Sequence, residues 1–224
     1  ASLPSGKGAD LVRKIALVSR EVFQEHDVNR VRADLGENPA NILWPWGPGR
    51  HPVLPPFRCQ WRLDAAMVAG HESARGLGRL TEMGAPAVAG ATGSYKTDYA
   101  AKTQSALDLL KSMDLVVIHA AQPADAALDG NVARKIRCIE DIDALIVAPI
   151  LEYARRAGDV RILVAATHTA ETKSRRRTRA DVPIAMFGPG LVAVRASVMA
   201  ESSLDAAEVF VAKGWELLPY FLRP

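Results

Sequence analysis

Three short apolar runs, at residues 115–118, 160–166 and 182–187, alternate along the chain with stretches whose apolar residues recur at the helical period. Leu115, Val116, Val117 and Ile118 follow one another without a polar break, as in a strand covered on both faces of a parallel sheet, and the run stops at His119. Residues 9–24 set Leu11, Ile15, Val18 and Val22 on one helical face and Arg13, Lys14 and Arg20 on the other. Residues 66–83 read as a short strand followed by a helix. A further helix turns Leu107, Leu110 and Met113 inward and delivers the chain to residues 115–118. Beyond a polar loop, Asn131 caps a long helix in which Val132, Ile136, Ile139, Ile142 and Ile146 keep the period until Pro149 bends or restarts it. Gly158 is a natural stop, and a helix over 204–218 closes the chain. The alternation predicts an α/β fold, a mainly parallel sheet with helices on both faces. It divides into an N-terminal helix with a Pro/Gly-rich crossover (1–60) and an α/β core (61–224).

Between these elements the punctuation is specific. Residues 37–57 carry six prolines with Trp44 and Trp46, a structured crossover in which Ile42, Leu43 and Trp44 could form a strand. Gly47-Pro48-Gly49-Arg50 reads as a tight turn, with Arg50 a candidate anion contact. Residues 90–97 have some of the composition of a nucleotide-binding loop but the wrong spacing, and are expected to end a strand and cap the next helix at Thr97 or Asp98. His71 and Glu72 are adjacent and therefore about 100° apart on a helix, which suits a surface or cap role. His26 fits a cation at a helix end, and His51 has the same standing.

About half of the 224 residues are hydrophobic (49%), enough for a sizeable core. No apolar run approaches the ~20 residues of a membrane span, and no signal-peptide pattern opens the chain, so a cytoplasmic protein without membrane contact is expected. Cys59 and Cys138 lack metal-type spacing and suit a reducing compartment. A net charge of +3 is too mild to indicate nucleic acid by itself. The charge is concentrated in Lys173, Arg175, Arg176, Arg177 and Arg179, five cations in seven residues. Such a run suits a small phosphorylated ligand, an acidic partner or a nucleic acid, or is a solvated loop. The lack of an interleaved aromatic counts against single-stranded nucleic acid.

Glu37-Asn38-Pro39-Ala40-Asn41, Trp44-Pro45-Trp46-Gly47, Gly90-Ala91-Thr92-Gly93, Thr97-Asp98-Tyr99 with Lys102, the 139–143 segment and Pro149-Ile150-Leu151 occur here in an order and spacing that resembles the archaeal-type, cofactor-independent phosphoglycerate mutases of the alkaline phosphatase superfamily. The resemblance covers nearly all of the chain. It implies an alkaline-phosphatase-like core lacking its N-terminal part, because the strand, Asp-Gly loop and phosphoryl-accepting Ser that open family members do not appear before Leu3. That part is expected to be lost, carried on another chain or cleaved away. The resemblance also implies two divalent metals, yet the positions that match ligands hold Ala124, Leu128, Thr167 and Arg177, with only His168 preserved. Methyl and isobutyl groups offer no lone pair, and Arg177 puts a cation where a metal would sit. No metal and no other cofactor is therefore expected. The reading that follows is a degenerate homologue without mutase activity, serving as a binding or assembly subunit, with Arg50, Arg176 and Arg177 as anion contacts.

The alternatives are a mutase-like phosphotransferase completed by a Ser and ligands from another chain, or a new acid-base site built from His119, Gln122, Asp125, Asp129 and His168. A basic nucleic-acid binder is a third reading. Were the strands at 115–118 and 160–166 parallel, His119 and His168 would fall on one edge of the sheet. An incomplete sheet exposes an edge, so a homo-oligomer or a subunit of a complex is expected.

Overall fold

A computed structural model describes residues 4–45, 47, 49–194 and 198–223. Trp46 and Pro48, which belong to the two turns singled out above, lie outside the described residues. The chain divides into two compact units, Ala1–Pro52 and Val53–Pro224.

In the first unit, α1 (Ala9–Glu25) and α2 (Asp27–Asp34) meet at His26, whose backbone is extended. His26 stands at the C-terminal end of α1, as expected, and its Nδ1 accepts from the Val28 amide at 3.2 Å, so it also caps the start of α2. Buried Asn29 pins the crossover: its amide donates to the Phe23 and Ala40 carbonyls (2.7 and 2.6 Å), and its Oδ1 accepts from the Ala40 amide at 2.9 Å. Residues 42–44 form no strand, because the Leu43 amide goes to the Ser19 hydroxyl (2.8 Å) rather than to a ladder. Of α1, only Ala9 and Ala16 are buried; Leu11, Ile15, Val18 and Val22 are exposed.

The second unit opens with α3 (Phe57–Trp61) and β1 (Ala65–Ala69), followed by α4 (Glu72–Leu80). No strand leads into residues 90–97 as expected; β1 gains only an isolated parallel bridge from Ala66 to Gly84. The segment does cap the next helix. In α5 (Tyr99–Leu109) the Asp98 carboxylate accepts from the Ala101 amide at 2.8 Å, and the Thr97 hydroxyl turns back to the Thr92 amide at 3.1 Å. β2 (Leu115–His119) pairs with β1 in parallel, from Ala65 opposite Leu115 to Ala69 opposite His119. β1 is nearly sealed, but β2 is only half-buried along its whole length, since among the described strands it has no second neighbour.

The expected polar loop after β2 is instead a seven-residue helix, α6 (Gln122–Leu128), with Pro123 in its first turn where its missing N–H costs nothing. Asn131 then caps α7 (Val132–Ile142) through the Arg134 amide at 2.9 Å. A π turn (Asp143–Val147) separates α7 from α8 (Ala148–Ala157), which stops at Gly158 in the left-handed region, φ 79°. Pro149 cannot donate to the Leu145 carbonyl one turn earlier, and that oxygen accepts from the Thr103 hydroxyl of α5 at 2.6 Å.

β3 (Ile162–Ala165), β4 (Thr169–Glu171), β5 (Arg176–Thr178) and β6 (Ile184–Phe187) follow. β3 pairs antiparallel with β6, and β4 with β5 as a hairpin. β2 and β3 are not ladder neighbours, so no shared ladder places His119 and His168 on one edge. The closing helix is shorter and later than expected: a 3-10 turn (Glu201–Ala206) precedes α9 (Gly214–Phe221). The Ser203 hydroxyl bonds the Ala200 and Val198 carbonyls (2.7 and 3.0 Å), competing with a regular ladder.

Candidate functional site

In parallel α/β architecture side chains gather beyond the carboxyl ends of the strands, and here β1 ends at Gly70-His71 and β2 at His119. Gly70 is required by contact: a Cβ there would stand 2.1 Å from the Thr92 carbonyl oxygen, so the 92–94 loop lies directly on the strand end. His71 caps α4, its Nδ1 accepting from the Ser73 amide at 3.3 Å, which is the cap role its sequence suggests. Its ring meets that of His119 edge-on, with centroids 6.4 Å apart.

Two buried polar side chains support this end. Gln122 is 1% exposed; its Nε2 donates to the Thr92 and Ser94 carbonyls (3.4 and 3.3 Å), and its Oε1 is buried with no partner among the described residues. Lys102 is also 1% exposed, with Nζ 3.5 Å from the His119 carbonyl and 5.7 Å from the Tyr99 ring centre. Burial holds the Lys102 ammonium below the ordinary lysine range. The His119 imidazole is also held low, first by burial, then by His71 and Lys102, with Asp125 opposing. An imidazole in that setting, sensing one carboxylate, is suited to passing a proton. The Thr92 and Ser94 hydroxyls are bonded to each other at 3.0 Å.

Asp129 is exposed and accepts from the Tyr95 hydroxyl at 2.6 Å, while the Arg134 guanidinium lies 4.5 Å from the Tyr95 ring centre. Burial, then the Asp129 carboxylate, pushes the Tyr95 phenol up to about 12. His168 is elsewhere. Its Nδ1 is 2.8 Å from the Thr167 hydroxyl, its Nε2 is buried without a partner among the described residues, and it lines a cleft of about 410 Å³ with Thr167, Thr178, Arg179, Ala180 and Asp181. Thus His119 and Asp125 share the strand end, Asp129 is tied up by Tyr95, and His168 lines a cleft that contains none of the other three. Arg176 and Arg177 are exposed on β5, and Arg50 is exposed in the first unit.

Sequence reasoning gave the buried ammonium of Lys102 no site role, because lysine is ordinarily a surface residue. The available signal was its place one turn after the capping Asp98, among small residues Ala100 and Ala101.

The strand-end site and the layering of helices on short strands define an α/β fold of the alkaline-phosphatase kind. The chain belongs to the metalloenzyme superfamily, whose family model it matches over residues 17–211. It is 34% identical over 217 residues to the 2,3-bisphosphoglycerate-independent phosphoglycerate mutase of Methanothrix thermoacetophila, covering 96% of this chain and 55% of that one. It is 32% identical over 222 residues to a probable enzyme of the same description from Geobacter sulfurreducens, covering 98% and 55%. Among solved structures, a Pyrococcus horikoshii protein superposes with a TM-score of 0.62 at 28% identity, over 78% of this chain and 45% of the other. The cofactor-independent phosphoglycerate mutase of Thermoplasma acidophilum shares the fold, with a TM-score of 0.54 at 24% identity over 91% and 48%. The chain spans about half the length of the curated relatives it matches.

A metalloenzyme fold calls for a donor set, and at three of the positions matched to ligands above the side chains present have no lone pair for a metal. Ala124 and Leu128 stand one turn apart on α6, and Arg177 stands on β5. Among the described residues no three His, Cys, Asp or Glu side chains gather as ligands. No helix among them is long and apolar enough to cross a membrane.

Proposed function

We propose that this chain is a degenerate homologue of the cofactor-independent phosphoglycerate mutases, without mutase activity, acting in the cytoplasm as a binding or assembly subunit. One observation carries the reading: Ala124, Leu128 and Arg177 occupy positions that match metal ligands in the resembling family, and none can donate a lone pair to a metal. Two-metal phosphoryl transfer stabilises attacking and leaving oxygens together, so loss of one ion's ligands removes the mechanism rather than weakening it. The test is a phosphoglycerate mutase assay with added Mn²⁺, Mg²⁺ or Zn²⁺, together with native mass spectrometry of the protein as purified from its source. No turnover above background and no pair of bound divalent ions is the expected result. Turnover, or two bound ions, overturns it.

The 34% identity to a phosphoglycerate mutase over 217 residues favours a second reading, an active mutase-like phosphotransferase whose Ser and metal ligands come from another chain. A co-purifying chain carrying an Asp-Gly loop and a Ser, with activity only in the mixture, would establish that reading. Both readings require a partner, and the half-buried, singly paired β2 supports one. Size-exclusion chromatography with light scattering is expected to give a mass above that of one chain; a monodisperse monomer counts against the assembly role.

A further inference from the structure

The basic run is not a loose solvated loop. Residues 172–175 form the turn of the β4–β5 hairpin, closed at its base by the Thr169 and Thr178 hydroxyls (2.7 Å) and at its tip by Ser174 donating to Glu171 at 2.7 Å. Lys135 of α7 holds the inner strand, its Nζ donating to the Ala170 carbonyl at 2.8 Å. The Arg175 guanidinium packs so closely on Gly130 that a Cβ there would stand 2.6 Å from its Nε. β4 and the turn are therefore anchored, and β5 is the outer strand.

Two features of the hairpin are unmatched. Lys173, Arg175, Arg176, Arg177 and Arg179 are all exposed, and none has a carboxylate within ion-pair distance among the described residues. Like charges this dense repel one another, a cost that an opposite charge would relieve. The second feature is the backbone. Ala170 faces Arg177 across the ladder, and its carbonyl, turned toward Lys135, points out of the hairpin. In antiparallel pairing the opposite residue does the same, so Arg177 presents its N–H and C=O along an edge with no neighbouring strand among those described.

We infer that the β5 edge binds an extended protein segment bearing acidic side chains at alternate positions, which adds to the hairpin as a third strand. Alternate residues of an extended chain repeat at about 7 Å, so carboxylates at i and i+2 of such a segment match Arg177 on β5 and Arg179 just beyond it. The open edge supplies main-chain hydrogen bonds and the cations select the sequence. Nucleic acid has no use for a strand edge, and the hairpin offers no aromatic to stack on a base. The inference is independent of whether the chain turns over a phosphoester.

The test is fluorescence anisotropy with the full chain and a short labelled peptide alternating Glu and Val. Saturable binding is expected that falls at least about tenfold with Arg177→Glu/Arg179→Glu, with Gln in place of Glu, and with N-methylation of the alternate peptide amides that face the edge. The last two change the probe alone, so they remain decisive should the double variant fold poorly. Equal binding of the Gln peptide or of the N-methylated peptide overturns the inference, as does absence of saturable binding. Tighter binding of duplex DNA or of anionic vesicles also overturns it, assigning the patch to phosphates instead.

Discussion

Replacing Gly70 by Ala is expected to destabilise the Val53–Pro224 unit by about 3 kcal/mol, the upper range for forcing one carbon into a packed site. The added Cβ would meet the Thr92 carbonyl oxygen and carbon at 2.1 and 2.3 Å, and backbone cannot rotate away as a side-chain tip can. The Thr92 loop is itself held from two sides, by Gln122 and by the Thr97 hydroxyl, so relief would have to break one of those ties. Gly76→Ala is the control. It lies within α4 with open space at the Cβ position, and should stabilise by about 0.5–1 kcal/mol through helix propensity. Urea denaturation of both variants checks the pair. A near-neutral Gly70→Ala would mean that the loop is not seated on the strand end.

Lys102→Met is expected to act in the opposite direction, raising stability by about 2 kcal/mol near neutral pH. The ammonium is removed from water at 1% exposure and, among the described residues, has no carboxylate partner, only a long contact with the His119 carbonyl and the face of Tyr99. Methionine keeps most of the volume without the desolvation cost. The sign of the pH dependence follows from the low folded-state pKa of Lys102. The unfolded chain binds that proton more tightly, so stability of the natural protein rises as pH climbs toward the ordinary lysine value of 10.5. The methionine variant lacks that rise, and its advantage shrinks in the same window. Denaturation at about pH 7 and about pH 10 measures both effects. A variant less stable than the natural protein at neutral pH would make the Lys102 contacts net favourable.

What could be read from the sequence was governed by local chemistry. Asp98 and Asn131 are legible as caps because a short acceptor side chain before an apolar period satisfies amides that nothing else can reach, and Gly158 because only glycine enters the left-handed region cheaply. The α/β alternation follows from the change of apolar period and is confirmed by β1, β2 and the helices between them. What failed depends on partners distant in sequence. Nothing in residues 160–187 says that β3 pairs with β6 in antiparallel fashion, and the polar character of residues 119–131 concealed a helix whose Ala126 and Ala127 are fully buried. At the strand end, the backbone positions Gly70 and His119 were foreseeable from strand boundaries. The burial of Lys102 and Gln122 was not, since polar residues carry no periodic mark of which ones the fold will enclose.

The π turn at Asp143–Val147 sets a phase. It carries surplus chain relative to a regular helix, so α8 starts out of step with α7, and from that offset Ile146 and Ala154 reach the interior while Leu145 is free to receive Thr103. Excising a single residue there would close the wide turn into a regular one and leave Ala154 on its buried side, whereas an excision within the regular turns of α7 or α8 would rotate everything after it by about 100°. Between Asn131 and Gly158 a change of chain length by one residue is therefore absorbed at the π turn and nowhere else as cheaply.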